Sequence, residues 1–491
     1  MRRALLLFAG LALLYAGLGF LPGRTFAPLD LAFDTDAWKA DPARRVRVSN
    51  TLLGDVLVQF VPWDHEILRL VRRGELPWTN VLAGDGSPLF ANPQTALFSP
   101  FTWPRLLLGL DGWAWMAFLK LFAAAASMYW FARELEVAPR QAVVSGIVYA
   151  TAGYTIVWLL FPITHVFALL PGLAAAAWRL VKVPAGANAA LLILLAALCT
   201  AGGHPETLFI GVVAIAMFLV WQAEKGTYGL AALIPSAIGA LLGFLLLAVQ
   251  VIPFLNILGD AHAQVLRPAM PHPFRLWAVA SQILPGILGS PLRGELDLTA
   301  VPAHVENFNL RAGGYVGALV LFALLLAARD LPAALRRGLA IGTVALVISW
   351  FPPGLWAIAR NIPLVRVLTL EYLAAIFVLF ASLAAGPAIA IAASRRRRKA
   401  GAALLVAGVM MLCGGLLPSL PAARPALQSV ARQGVEQLRT RGHLRQPAAV
   451  YEQRLAYYLD AAGLTTLRRA AIPGACWALA GAALLLPVKR R

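Results

Sequence analysis

The sequence predicts an all-α polytopic membrane protein of about twelve spans, with a large extracytoplasmic first loop that carries surface helices. Three observations predict it. Of the 491 residues, 60% are hydrophobic and only 13% are charged, about half the charge of an ordinary soluble domain. Mean hydropathy is +0.73, and apolar runs near twenty residues recur along the chain, the length that a hydrocarbon core of about 30 Å requires. Finally, lysine and arginine cluster in alternate loops. The net charge of +19 is thereby explained by topology, and no nucleic-acid partner is expected.

The first apolar run, 4–22, follows Arg2 and Arg3 as in a signal peptide. It is long and has no small-x-small cleavage site, so an uncleaved helix is expected. A polar stretch from 23 to about 94 comes next. Piece 95–110, "TALFSPFTWPRLLLGL", is apolar but broken by Pro100 and Pro104, which suits a re-entrant or interfacial segment. Further spans are expected near 112–131, 141–160, 165–181, 188–201, 207–222, 232–253, 314–328, 338–351, 371–393, 400–418 and 471–487. A catalytic module over 1–420, including the first outer loop 23–110, would precede a short outer segment and last span, 421–491.

Seven cationic clusters share one side when the N-terminus is placed in the cytoplasm. They are Arg2 and Arg3, Arg133 and Arg140, Arg179 and Lys182, Lys225, the Arg329–Arg337 group, "RRRRK" at 395–399, and the C-terminal "KRR". This is the positive-inside pattern of an inner-membrane protein with both termini cytoplasmic. Of the acids, only Glu134, Glu136, Glu224 and Asp330 fall on that side, and all seven histidines fall on or near the other. Titratable chemistry is thus concentrated at the outer face. No phosphate-binding glycine loop or dinucleotide fingerprint occurs, so a soluble nucleotide is not expected as energy source or donor. Cys199, Cys413 and Cys476 lie in apolar runs without ligand spacing and read as packing residues.

Three outer segments are long enough for structure of their own. "DVLVQFVPWDHEILRLVRRGE" (55–75) reads as an amphipathic surface helix, with Val58, Val61, Ile67, Leu68 and Val71 on its apolar stripe. A second segment, 254–313, is rich in Pro and His. The third, 419–470, holds "LQSVARQGVEQLRTRGHLRQ" and "VYEQRLAYYLDAAGL", which look like two further surface helices. Shorter connections carry His204 and Glu206 in "AGGHPETLF", and Arg366 and Glu371 in "IPLVRVLTLEYL". Gln250 lies near a span end, where a polar residue is a functional hypothesis by default. His165, His262, His272 and His304 lack metal-ligand spacing. Asp55 stands before an apolar-periodic run, as an N-cap would. Asp34 and Asp36 form a DxD in "FDTDAW", a spacing that can hold Mg or Mn on a sugar phosphate, and also an ordinary solvated loop.

The order of these pieces resembles the GT-C superfamily of membrane glycosyltransferases, and most closely its YfhO-like branch. "GDVLVQFVPW", "GELPWTNVLAGDGSPLFANPQTALFSPFTW", "GGHPETLF", "AVQVIPFLNIL", "GGYVGALVLFALLLA" and "IPLVRVLTLEYLAAIFVLFASLAAG" carry the resemblance. Many members are longer and have an extra outer domain near the C-terminus, where this chain has about fifty outer residues. The resemblance implies transfer of a sugar from a polyprenyl-phosphate donor to a cell-envelope glycan, lipid or polymer. It places the catalytic acid in the first loop, where Asp55 matches and would act as general base. Gln59, one turn later, would bind sugar or acceptor. His204 and Glu206 could bind sugar hydroxyls or phosphate, or simply form a helix–helix turn. Arg366 suits the donor phosphate, with Glu371 as its orienting partner, though an interfacial arginine can equally snorkel to headgroups. His65, Asn92, Gln94 and Gln250 complete the candidate binding residues. A transporter or lipid flippase of similar span number is the main alternative; a polysaccharide polymerase or ligase, whose large loop comes late, is another.

Overall fold

The computed structural model describes residues 1–34, 50–83, 86–225, 228–259, 308–350, 368–394 and 397–416, with isolated positions elsewhere. Apart from a two-stranded ribbon pairing Thr79–Asn80 with Ser87–Pro88, the regular elements in these residues are helices. The first outer segment contributes α2 (Val61–Arg72), entered through a π turn at Val56–Phe60, and the short α3 (Trp103–Leu108). Around it stand α1 (Arg2–Ala16), α4 (Gly112–Glu134), α5 (Pro139–Thr151), α6 (Gly153–Val157), α7 (Pro162–Phe167), α8 (Leu170–Lys182), α9 (Gly186–Ala201), α10 (Pro205–Lys225), α11 (Ile234–Leu245) and α12 (Ala248–Leu258). The later helices are α13 (Phe308–Ala312), α14 (Ala318–Ala327), α15 (Ala333–Trp350), α16 (Ala374–Ser394) and α17 (Arg397–Leu416).

Among the described residues, five helical stretches are long and apolar enough to cross a membrane: Arg2–Phe20, Trp103–Glu134, Pro162–Lys182, Pro205–Lys225 and Leu370–Ser394. A sixth is the pair α11 and α12, bent by 76° at Leu246–Leu247. Several other expected spans form shorter helices, because glycine and proline interrupt the apolar runs. The run expected over 141–160 becomes α5 and α6, broken where Ala152 turns extended. The run 95–110 ends in α3, where Pro104 occupies the first turn and Gly109 at φ 60° separates α3 from α4. The run 471–487 and the two surface helices expected over 419–470 lie outside the described residues, apart from isolated positions.

The core of the bundle is α4, α5, α8 and α16, whose facing residues are almost wholly buried. Close approach is set by small residues. A Cβ at Gly146 of α5 would meet Ala125 O at 2.6 Å, and one at Gly386 of α16 would strike Gln141 O. Pro387 inside α16 leaves the carbonyl of Leu383 without its helical donor; Ser145 Oγ on α5 donates to that oxygen at 3.0 Å.

The stretch 152–169, between α5 and α8, holds the short α6 and α7, with breaks at Trp158–Phe161 and Ala168–Leu169. Breaks there free carbonyl groups that a water-poor interior cannot solvate. Neighbouring side chains supply the donors. Lys120 Nζ donates to Leu159 O at 2.7 Å and to Phe161 O at 3.0 Å. Tyr149 Oη donates to Phe167 O at 2.6 Å, and Ser127 Oγ to Ala168 O at 2.6 Å. Cys199 is fully buried, as expected, whereas Cys413 is exposed on α17.

Candidate functional site

The bundle has two chemically different ends. At one, Glu134 at the end of α4 pairs with Arg179 at 3.0 Å and Lys182 at 2.7 Å, both at the end of α8. Arg179 also donates to Asn188 at the start of α9. Because α9 and α10 form a hairpin through the turn at 202–204, the end of α10 lies at this same basic end. There Arg337, at the start of α15, donates to Gln222 Oε1 at 2.8 Å. The sequence candidates gather at the opposite end, around the turn between α9 and α10.

Gly203 in that turn has φ +80°, and its α-carbon faces the turn Pro93–Thr95 so closely that a Cβ would strike Pro93 O and Ala96. "GGHPETLF" and "ANPQTALF", 111 residues apart in sequence, are thereby packed together. Asn92 caps its turn by accepting from Gln94 N at 3.0 Å; Gln94 is exposed. His204 Nδ1 accepts from Thr207 N at 3.2 Å and lies 2.9 Å from Thr207 Oγ1. Glu206 accepts from the backbone N–H of Thr369, which fixes the approach to α16. Glu371 and Tyr372 follow directly, half-buried, and the Tyr372 ring stands 5.5 Å from that of His204. Helix α12, which carries buried Gln250, lies against the Pro93–Thr95 turn. Four motifs separate in sequence thus meet at one end of the bundle. Gly203→Ala is expected to lower Tm without changing composition at the site. It combines a left-handed backbone, costing about 1–2 kcal/mol for an L-residue, with the clash on Pro93. A thermal melt equal to wild type would contradict this packing.

Asp55 and Gln59 stand on the outer helix. Asp55 is exposed, and its Oδ1 accepts from Gln59 Nε2 at 3.1 Å, so the pair one turn apart does face the same way. The capping role fails: Asp55 is itself helical, at φ −58° and ψ −32°, and makes no cap hydrogen bond. Of the apolar stripe expected on this helix, Ile67 is buried. Val58 and Val71 are 60% and 54% exposed, and the buried face is Val56, Phe60, Asp64, Ile67 and Leu70. The π turn at Val56–Phe60 holds about one more residue than an α turn, so it rotates everything before it relative to α2. His65 is exposed beside buried Asp64.

A chain of aromatic rings joins this helix to the turn cluster. Centroids run from Phe60 to Phe161 at 5.8 Å, Phe161 to Trp158 at 5.1 Å, Trp158 to Tyr372 at 5.7 Å, and Tyr372 to His204 at 5.5 Å. Asp55 and His204 therefore share one end of the bundle with an aromatic wall between them. A groove of about 620 Å³ along α10 and α11 is lined by Thr200, Pro205, Leu208 and Phe244 among others, and by none of Asp55, His204 or Gln250. Arg366 and Asp36 lie outside the described residues, as does the side chain of Asp34, which ends the turn Leu29–Asp34. Among the described residues no three His, Cys, Asp or Glu groups converge as metal ligands.

Beneath the outer helix lies a buried ionic group that sequence reasoning missed. Asp64 of α2 pairs with Arg105 of α3 at 3.3 Å, and Arg105 stacks over the Trp113 ring at 4.6 Å. One signal was present: Lys120 is the lone charge inside the apolar run of α4, and such a residue marks a functional hypothesis. The Asp64–Arg105 pairing, 41 residues apart, left no local pattern.

Burial pushes the Asp64 carboxyl up to about 6, against the opposing pull of Arg105. Its ordinary value is 3.8, so between these limits the folded protein binds a proton that the unfolded chain has released. The resulting stabilisation is present below the ordinary value and is lost as pH rises through about 6, amounting to roughly 3 kcal/mol at full extent. Glu66 runs the other way: Arg69, hydrogen-bonded to it, holds its carboxyl below the usual range, so its contribution fades only in stronger acid. Tm is expected to rise as pH falls from 7.5 to 5, and Asp64→Asn is expected to flatten the rise. An unchanged slope in the variant would place the titrating group elsewhere.

No protein family, curated protein or solved structure matches the chain. Helices of membrane-spanning length and apolarity make it a membrane protein.

Proposed function

We propose that the chain is a GT-C-type glycosyltransferase of the inner membrane, akin to the YfhO-like proteins, with both termini in the cytoplasm and its site at the extracytoplasmic face. It transfers a sugar from a polyprenyl-phosphate donor to a cell-envelope glycan, lipid or polymer. The observation that supports this reading best is the sorting of polar groups. The basic clusters with Glu134 hold one end of the bundle, while the exposed Asp55–Gln59 pair and the His204, Glu206 and Glu371 turns occupy the other.

In this mechanism the Asp55 carboxylate takes the proton of an acceptor hydroxyl. The acceptor oxygen bonds to the anomeric carbon as the bond from that carbon to the phosphate oxygen breaks. Polyprenyl phosphate leaves with the electron pair, its charge met by the Arg366 guanidinium. Gln59 holds Asp55 by the hydrogen bond at 3.1 Å. His204, Glu206, Gln250, Asn92 and Gln94 are assigned to sugar and acceptor hydroxyls. The test uses the purified chain in lipid nanodiscs with a radiolabelled polyprenyl-phosphate sugar and an envelope-lipid acceptor. Label covalently attached to the acceptor supports the reading.

A second reading, a lipid or solute transporter, draws on the 76° bend between α11 and α12 with Gln250 just beyond it, since broken helices often mark transport sites. Label that crosses a proteoliposome membrane without a covalent product would favour it.

A further inference from the structure

Six buried side-chain polar atoms without a hydrogen-bond partner belong to one small region beneath the outer helix: Asp64 Oδ2, Thr102 Oγ1, Arg105 Nε, Trp158 Nε1, and both ring nitrogens of His165. A buried polar group left unsatisfied is unfavourable, and native proteins leave few. The five residues are neighbours. Arg105 pairs with Asp64. Thr102 follows Phe101, whose ring stands 5.5 Å from that of His165. His165 lies within electrostatic reach of both Lys120 and Arg105. Lys120 donates to the carbonyl of Phe161, against which Trp158 packs.

The group is rich in donors and in positive charge. Arg105 Nε–H, Trp158 Nε1–H, the Thr102 hydroxyl and an N–H of His165 can donate, and the unpartnered carboxylate oxygen of Asp64 only accepts when ionised. Lys120 spends two of its three hydrogens on Leu159 and Phe161. Two cations, Arg105 and Lys120, face one anion, Asp64, and these residues are 2%, 0% and 8% exposed. Unbalanced charge in such surroundings is strongly unfavourable. Glu66, the nearest other carboxylate on α2, is already engaged by Arg69 at 2.6 Å.

We propose that this region, enclosed by α2, α3, α4 and α7, binds a small inorganic anion of chloride size, held by Arg105, Lys120, His165 and Thr102. Near-complete burial of these residues favours a single ion over a lipid headgroup, which needs an open portal. The anion balances the surplus cation and fastens the outer helix on the bundle. It does not depend on the transfer reaction.

The experiment is a thermal melt of the full chain in maltoside detergent at constant ionic strength, with chloride replacing gluconate. A saturable rise in Tm with chloride, following the logarithmic dependence of a ligand that binds only the folded state, is the expected result. Equal Tm in the two salts overturns the proposal, and so does stability that follows added phospholipid at zero chloride. Lys120→Gln keeps a donor for the Leu159 and Phe161 carbonyls and removes the surplus charge. It should abolish the chloride response; an undiminished response in this variant overturns the proposal. His165→Leu gives the same discrimination on a second helix, should Lys120→Gln fail to fold.

Discussion

Asp55→Asn should abolish sugar transfer while leaving the fold intact. The stability half of this expectation rests on geometry. Asp55 is exposed, makes no helix-capping hydrogen bond, and touches Gln59 through Oδ1 alone. An asparagine carbonyl can accept that same bond from Gln59 Nε2. Surface changes of this kind shift stability by no more than about 0.5 kcal/mol, so expression and Tm should match wild type. The catalytic half rests on proton transfer. An amide cannot take a proton from an acceptor hydroxyl, and a positioned general base contributes about 10²–10⁴-fold. Asp55→Glu moves the carboxylate by one methylene and should retain measurable transfer. Equal turnover by Asp55→Asn and wild type in the nanodisc assay would remove Asp55 from the mechanism. Activity lost together with Tm would instead point to a structural role.

The sequence carried the arrangement of helix ends far better than the helix faces. Charge alternation anticipated that Arg179, Lys182 and Arg337 would share one end, because each cation needs water or a partner and is excluded from the hydrocarbon. The turns at His204 and Glu206 were legible for a related reason: Gly203 and Pro205 cannot continue a helix, so the polar residues beside them fall at a boundary. The buried face of the outer helix was not legible, since a π turn shifts phase without any residue type that announces it. The broken stretch 152–169 was read as parts of two plain spans, although the carbonyls of Leu159, Phe167 and Ala168 take donors from Lys120, Tyr149 and Ser127 on neighbouring helices. Such pairings are made across the fold. They become visible only when the helices are assembled.

Arg105→Ala should destabilise the protein by about 3–5 kcal/mol, the range for removing one partner of a buried ion pair. Arg105 is 2% exposed, pairs with Asp64 at 3.3 Å and stacks on Trp113 at 4.6 Å. Without it the Asp64 carboxylate stays buried beside Ile67 and Leu70 without its ion-pair partner. The carboxyl is already raised to about 6, and Arg105 is the group that holds it down. Its loss should therefore push Asp64 higher still and make Tm more sensitive to pH. The deficit should be largest at pH 7.5 and shrink towards pH 5, where protonation relieves the orphaned carboxylate. Adding Asp64→Asn to Arg105→Ala should recover part of the loss, with a coupling of roughly 0.5–3 kcal/mol in the double-mutant cycle. Strict additivity would show that the pair does not fasten α2 to α3. Coupling would have a catalytic counterpart: Gln59 and Asp55 precede Asp64 on the same outer helix by about one and two turns, so a helix loosened at Asp64 should lose transfer more steeply than it loses Tm.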